Sequence, residues 1–467
     1  MILIGVLAAI VTLWGGGAAL ALGFLSRTRR VNVLEMAGLG WIFGVGLISL
    51  GLWSGSFFCS GPVLQAVIAL LAVSSGVAGW RKAARAGVSF SLPQNLSRWE
   101  IGLAILLCAE IVVIFVGSAR HTLGWDGLLV WEIKARYAFM NGGAIPPNYF
   151  RDADRLFSHP DYPLAIPLTQ LWIYLWAGEA NQFWAKLIFP IFYATGVVLL
   201  ALGGARLTNN RSLGLALAVL LFFVPQVSVA TGGTLVGYAD VPLALCYAAA
   251  VIYLLRPNRD SYAIFGALLV LLPWMKREGA ILWIVAALAA AVVFLVHKCP
   301  LRTWLTLLPS LVLLVSWKIY LQQVSAAGSA DFGAVSVATL RANLPRFVPV
   351  WANIIQEMIA WPNWGVFWLL MVIVLARLLM TRRSIVTAIL FAAVVLPICL
   401  YSATYIFSAW PNYVDHVNAS IPRLLVHVVP LGFILAGVAA QPSETRTRSS
   451  PDSLPTPGPA AAATSGI

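Results

Sequence analysis

RHTLGWDGLLVWEIKARYAFMNGGAIPPNYFRDADRLFSHPDYPLAIP, residues 120–167, is the longest polar, charge-bearing interval of a chain that is otherwise almost wholly apolar. It carries Asp126, Glu132, Asp152, Asp154 and Asp161, with Glu179 shortly after, and both His121 and His159. A connector between two apolar blocks needs far fewer residues. The interval is therefore where function is expected.

On either side of it the composition is that of a membrane protein. Of the 467 residues 60% are hydrophobic and 10% charged, against about 25% charged in a soluble domain. Apolar runs of about 20 residues recur from end to end, long enough to cross ~30 Å of hydrocarbon. With no water to satisfy backbone groups, such runs must be helices. The fold class is an all-α polytopic protein whose first partner is the lipid bilayer. The net charge of +13 is spread over many short loops, as expected of Lys and Arg enrichment on the cytoplasmic side, and nucleic acid is not an expected partner. Cys59, Cys108, Cys246, Cys299 and Cys399 form no CxxC pair, so neither a metal cluster nor a disulfide framework is indicated. The first apolar run is too long, and lacks the basic start, for a cleaved signal peptide; it is a first span.

Basic clusters then set the topology. Arg27, Arg29 and Arg30, and later Arg81, Lys82 and Arg85, mark cytoplasmic loops after spans 2–25 and 63–80, with 36–58 returning between them. Ser97-Arg-Trp-Glu100 is a capping box opening the span 101–118, which brings the acidic loop to the outer side. Glu110, inside that span, is either paired within the bundle or functional. Segment 164–177 is short and starts among prolines, so it is expected to be re-entrant or interfacial; 185–204 is a full span. Continuing to 424–440, with Arg382 and Arg383 cytoplasmic, gives about thirteen spans. Residues 322–363 form a second external loop, and 441–467, rich in Pro, Ser, Thr and Ala, a disordered cytoplasmic tail. Lys276 and Arg277 break the charge rule by falling on the outer side with Asp126 and Asp240.

No P-loop, dinucleotide loop, HExxH or GxSxG is present, so a nucleotide-driven enzyme or pump is unsupported. What remains is a set of carboxylates and cations at one membrane face. Asp126 is either the N-cap of a following helix or a partly desolvated general base. Glu132 and Arg136, spaced i, i+4, are expected to be a helix-surface pair, and Lys134, on another face, to point into the site. In His159-Pro-Asp161-Tyr162-Pro163 the prolines stiffen a turn whose His159, Asp161 and Tyr162 are either plain loop residues or substrate contacts. Asp240, in GYADVP, is again a cap or a second functional acid, and Asp126 with Asp240 leaves a shared divalent cation open. Lys276 and Arg277 either snorkel to headgroups, pair with Glu278, or clamp a lipid phosphate together with Arg423. Asp415 and His416 lie in the outer loop before Arg423.

WDGLLVWEIKARYAFMNGG, HPDYPLAIPL, GYADVPLAL, WMKREGAIL and SIPRLLVHVVPL, in that order, resemble bacterial multi-pass glycosyltransferases of the GT-C fold, nearest the dolichyl-phosphate-mannose and aminoarabinose transferases. The resemblance covers 101–440 and leaves 1–100 as extra N-terminal transmembrane helices. It implies a GT-C-like catalytic core whose external loop 120–163 carries short interfacial helices. It also implies transfer of a sugar from a polyprenyl-phosphate donor to a glycan, lipid or protein acceptor. The setting would be the cell inner membrane, with the active site on the periplasmic or extracellular side. Carried over, Asp126 is the base, Asp240 the second acid, Lys276 the cation near the carrier phosphate, and His159-Pro160 the segment after the first loop. There Asp161 replaces the family's more usual second proline. No cofactor is certain, and a divalent metal stays open. A flippase for a lipid-linked sugar, or a polysaccharide polymerase or ligase, would share the many spans and the basic site.

Overall fold

The computed structural model describes residues 1–26, 30–229, 233–328, 331–380 and 384–441. The expectations for Arg27, Arg29, Arg382 and Arg383, and for the tail beyond Gln441, lie outside the described residues. Within them the chain is an all-α polytopic membrane protein. Eight helices are long and apolar enough to cross a bilayer: Ile2–Leu25, Val33–Gly55, Gly61–Arg85, Arg98–Arg120, Gln182–Leu207 (broken near its start), Gly279–Val296, Leu301–Gln323 and Ile385–Phe407. Tyr413–Val426 and Val429–Ala440 form a ninth only as a pair bent by 50°. The other segments counted toward thirteen are shorter helices, Arg211–Leu220, Asp240–Leu254, Arg259–Met275 and Phe367–Met380.

Side-chain contacts sort the helix ends. Ile2–Leu25 and Gly61–Arg85 run the same way, so the extended segments that follow them leave at one end and pair in parallel. These are β1 (Arg30–Asn32) and β2 (Ser89–Ser91), which the all-helical expectation did not include. Asn32 caps the next helix through Leu34 and Glu35, and the Ser97/Glu100 capping box is formed. At this basic end Glu35 accepts from Arg206 Nη1 and Nη2, Arg256 Nη1 and the Tyr253 hydroxyl. One carboxylate thus ties together three helices.

Helices Ile2–Leu25 and Val33–Gly55 cross at glycines. A Cβ on Gly17 would overlap the Gly40 carbonyl oxygen and the Gly44 nitrogen, which is the close backbone approach that membrane helices use for packing. Segment Ala165–Ala177 is 13 residues long, about 20 Å of helix. Trp172 meets Ala9 through an Nε1–O hydrogen bond of 3.1 Å, and Trp176 meets Gly5, so it runs antiparallel to the first helix. Lys186 Nζ donates to the carbonyls of Ala119 and His121 at 3.2 and 2.7 Å. The chain therefore enters and leaves 120–187 at the same end of the bundle, and Ala165–Ala177 adds no net crossing.

Candidate functional site

Two glycine-rich turns interlock at that second end. Gly124 N donates to Val236 O at 2.8 Å, and a Cβ on Gly124 would lie 2.7 Å from the Tyr238 ring. A Cβ on Gly127 would lie 2.6 Å from Val236 O. Gly237 has φ +75°, a backbone state suited to glycine. GWDG and VGYAD thus press together, and this juxtaposition carries Asp126 and Asp240 to one place.

Neither acid is a cap. Asp126 precedes a π-helical turn, Gly127–Glu132, without capping it, and its carboxylate instead pairs with Arg423. Asp240 opens its helix without capping it. Its buried Oδ1 takes Lys276 Nζ at 2.7 Å and His427 Nε2 at 3.0 Å. His427 Nδ1 lies 2.9 Å from the Tyr401 hydroxyl. A carboxylate only accepts, so the Nε2 that faces Asp240 is the donor in that contact, and Nδ1 faces the tyrosine hydroxyl. Lys276–Asp240–His427–Tyr401 is therefore a buried polar chain across four elements. The snorkelling expectation for Lys276 fails, because its side chain is 3% exposed and turned inward.

The helix break at 276–278 explains why three charges stand side by side. Gly279 packs onto the Leu272 carbonyl with no space for a Cβ, so the turn into Gly279–Val296 is tight. Lys276 turns in, while Arg277 and Glu278 face a cavity of about 360 Å³. Arg277 reaches Asp161 at 3.4 Å and Asp331 at 3.5 Å and lies over the Tyr162 ring. Tyr162 donates to Glu278 at 3.3 Å and stacks on His159. His159 Nδ1 is 3.7 Å from Asp331. Arg423 lines the same cavity from another helix, Tyr413–Val426, which bends just beyond it. Trp410, stacked on His416, closes the rim.

The structure thus brings together Asp126, His159, Asp161, Tyr162, Asp240, Lys276, Arg277 and Arg423. Three expectations need correction. Lys134 does not point into the cavity: it is buried and gives its protons to the carbonyls of Val130, Ser158 and His159 at 3.0, 2.8 and 2.8 Å, so it holds the His159 turn from behind. The Glu132–Arg136 pair exists at 2.8 Å but is not a surface pair, since Glu132 is buried and also takes the Tyr174 hydroxyl at 2.7 Å. The shared cation site does not fit either. Each of Asp126 and Asp240 is already neutralised by a basic side chain, and no group of three or more His, Cys, Asp or Glu among the described residues is arranged to hold a metal ion.

Asp331, Tyr401 and Trp410 were not singled out in the sequence, and Glu278 only as a partner for the basic pair. Asp331 comes from the second loop, 322–363, whose own helices Val337–Asn343 and Phe347–Met358 give it structure. Its carboxylate takes Trp410 Nε1 at 3.1 Å. The two loops clasp through Ala327 N to Phe150 O at 2.7 Å and Arg151 Nε to Val324 O at 2.8 Å. Burial raises the Asp331 carboxyl, but Trp410, His159 and Arg277 outweigh it and leave it below its usual value. Burial also raises Glu278, and Lys276 and Arg277 more than offset this. Burial pulls His159 down. The cavity therefore presents two guanidiniums, two ionised carboxylates, two imidazoles that burial pulls down, those of His159 and His416, and stacked rings. Set against models of known protein families, curated proteins and solved structures, the chain matches none.

Proposed function

We propose that the protein is a membrane glycosyltransferase that moves a sugar from a polyprenyl-phosphate donor to an acceptor at the cavity end of the bundle. The observation that carries this is the placement of Arg277 and Arg423, from separate helices, on one cavity with carboxylates and aromatic faces. Its size falls within the ~300–1,000 Å³ of small-molecule sites. Guanidiniums suit a phosphate that leaves with its charge, and rings suit the sugar's apolar face. An apolar groove of about 530 Å³ between Met358, Trp368, Val394 and Ile398 opens one helical turn before Tyr401. It offers the isoprenoid chain a path.

In the reaction the acceptor oxygen bonds to the anomeric carbon as the carbon–oxygen bond to phosphate breaks. The acceptor's proton goes to a base, and polyprenyl phosphate leaves. Asp126 is that base. In the free protein it is held by Arg423. A donor phosphate that competes for the guanidinium releases the carboxylate, so donor binding and base activation are one event. Lys276, Asp240 and His427 act behind the wall, fixing Tyr401 and the 276–278 turn. The reading includes the GT-C fold with thirteen crossings, made by the eight long helices, four shorter ones and the bent pair. It also places the protein in the inner membrane with the cavity facing the periplasm or exterior. A polymerase or ligase using the same lipid-linked donor is the second reading, favoured by Asp331 reaching the cavity from the later loop.

Purified protein incubated with labelled polyprenyl-phosphate sugars should release free polyprenyl phosphate. Asp126→Asn should abolish release while the protein remains folded and inserted. Wild-type release by that variant would remove Asp126 from the mechanism.

A further inference from the structure

At the basic end, opposite the cavity, a crevice of about 550 Å³ opens between helices Ile2–Leu25, Gly61–Arg85 and Arg259–Met275. Lys82, Arg259 and Arg302 stand at its mouth, all exposed. The fold puts them there for separate reasons. Lys82 lies in the last turn of Gly61–Arg85 and donates to Gly23 O at 2.7 Å, Arg259 follows the Asn258 cap, and Arg302 lies in the turn Leu301–Trp304. Asp260 shares the mouth, which leaves three cations against one carboxylate.

Behind the cations the walls become apolar. Leu20, Phe24, Ala263 and Thr306 line this crevice and also a second cavity of about 630 Å³. The two cavities adjoin along these four residues and together form a cleft running inward from the cations. The inner part follows helix Val33–Gly55 from Phe43 to Ser54, about 16 Å at ~1.5 Å per residue. That is close to half of the ~30 Å hydrocarbon thickness, the depth of one leaflet. Room for it comes from small residues, Gly46 and Ala267 among them.

We propose that this cleft is a binding site for an anionic glycerophospholipid. Its phosphate sits on Lys82, Arg259 and Arg302, and one acyl chain runs inward past Leu20 and Phe24. Charge complementarity selects the occupant. A cationic mouth at the basic end of a membrane protein faces the leaflet that carries anionic lipid, whereas a zwitterionic headgroup brings its own positive charge. The apolar shaft separates a lipid from free phosphate, which has no use for it. The site joins the N-terminal helices to Arg259–Met275, so the bound lipid braces residues 1–100 against the rest of the bundle.

The test uses the full chain, delipidated in detergent, with phosphatidylglycerol, phosphatidylcholine or inorganic phosphate added, read by native mass spectrometry and by melting temperature. Phosphatidylglycerol should be retained as a single copy and raise the melting temperature, and the other two should do neither. In the triple variant Lys82→Gln, Arg259→Gln, Arg302→Gln its affinity should fall about a hundredfold, from roughly fivefold per cation. Equal stabilisation by phosphatidylcholine, full reproduction of the effect by phosphate, or undiminished affinity in the triple variant would each overturn the proposal. The wild-type comparison of the three additives decides the matter even if the variant does not fold.

Discussion

Replacing Lys276 with methionine tests whether the buried chain beneath the cavity is a single unit. Lys276 Nζ lies 2.7 Å from Asp240 Oδ1 and 3.8 Å from Glu278 Oε2. At 2.7 Å and an effective dielectric of ~20 the attraction is about 6 kcal/mol. Desolvation of two buried ions, several kcal/mol each, takes most of that back. The intact pair therefore contributes little net stability, but a stranded partner is costly. Lys276→Met leaves the Asp240 carboxylate with His427 alone, at an expected cost of about 3–5 kcal/mol. Lys276→Met combined with Asp240→Leu removes both charges at similar volume and should recover most of the loss. Equilibrium unfolding of the protein in bilayer-like micelles, by steric trapping, measures all three. Donor turnover should be lost in the double variant despite its restored fold, because Tyr401 no longer has a fixed His427 behind it. A single-variant cost under about 1 kcal/mol, or a double variant no better than the single, would refute the coupling.

Two further outcomes follow from particular residues. Burial holds His159 below its usual 6.5 against the pull of Asp331. Between its folded and unfolded values the unfolded state binds more protons, so stability falls as pH drops below about 6.5. Asp331, held below 3.8, contributes stability above that value that is lost as pH falls through its folded one. His159→Asn should flatten the melting-temperature profile around pH 5–7 and leave the acid limb near pH 4 in place; an unchanged profile would show that His159 does not titrate there. Gly17→Leu should cost at least about 3 kcal/mol by forcing two backbones apart. Gly15→Leu, with nothing within 4 Å of its Cβ, should be nearly neutral in the same unfolding titration.

How much of this was legible depended on contrast. Asp126, Asp240, Lys276, Arg277 and Arg423 stand out because each interrupts an apolar pattern at the end of a span, and the fold gathers all five. Asp331 was hidden because it and Glu357, the two acids of a long loop, stand 26 residues apart in no recognisable spacing. Its role depends on a contact with Arg277 that only the fold creates. His427, by contrast, lies in an otherwise apolar run, LLVHVVPL, and an isolated imidazole there was a usable signal. The pairing of Glu132 misled because i, i+4 spacing reports helix geometry and says nothing about which face is buried. The number of long helices fell short of the apolar runs because prolines and tight turns shorten several of them, as at Pro273 within Arg259–Met275.

The carboxylate of Glu35 meets its arginines late. Arg206 lies 171 residues and Arg256 221 residues further along the chain. At about 5–20 residues per second of synthesis, roughly 9–34 s separate the acid from its first guanidinium. Throughout that interval the second helix is held at its basic end by the first helix, through Trp14 Nε1 on the Ala37 carbonyl and the Phe24–Phe43 contact, while its carboxylate has no arginine to meet. The hairpin can therefore pack on itself early, but its buried acid stays uncompensated until the middle of the protein is made.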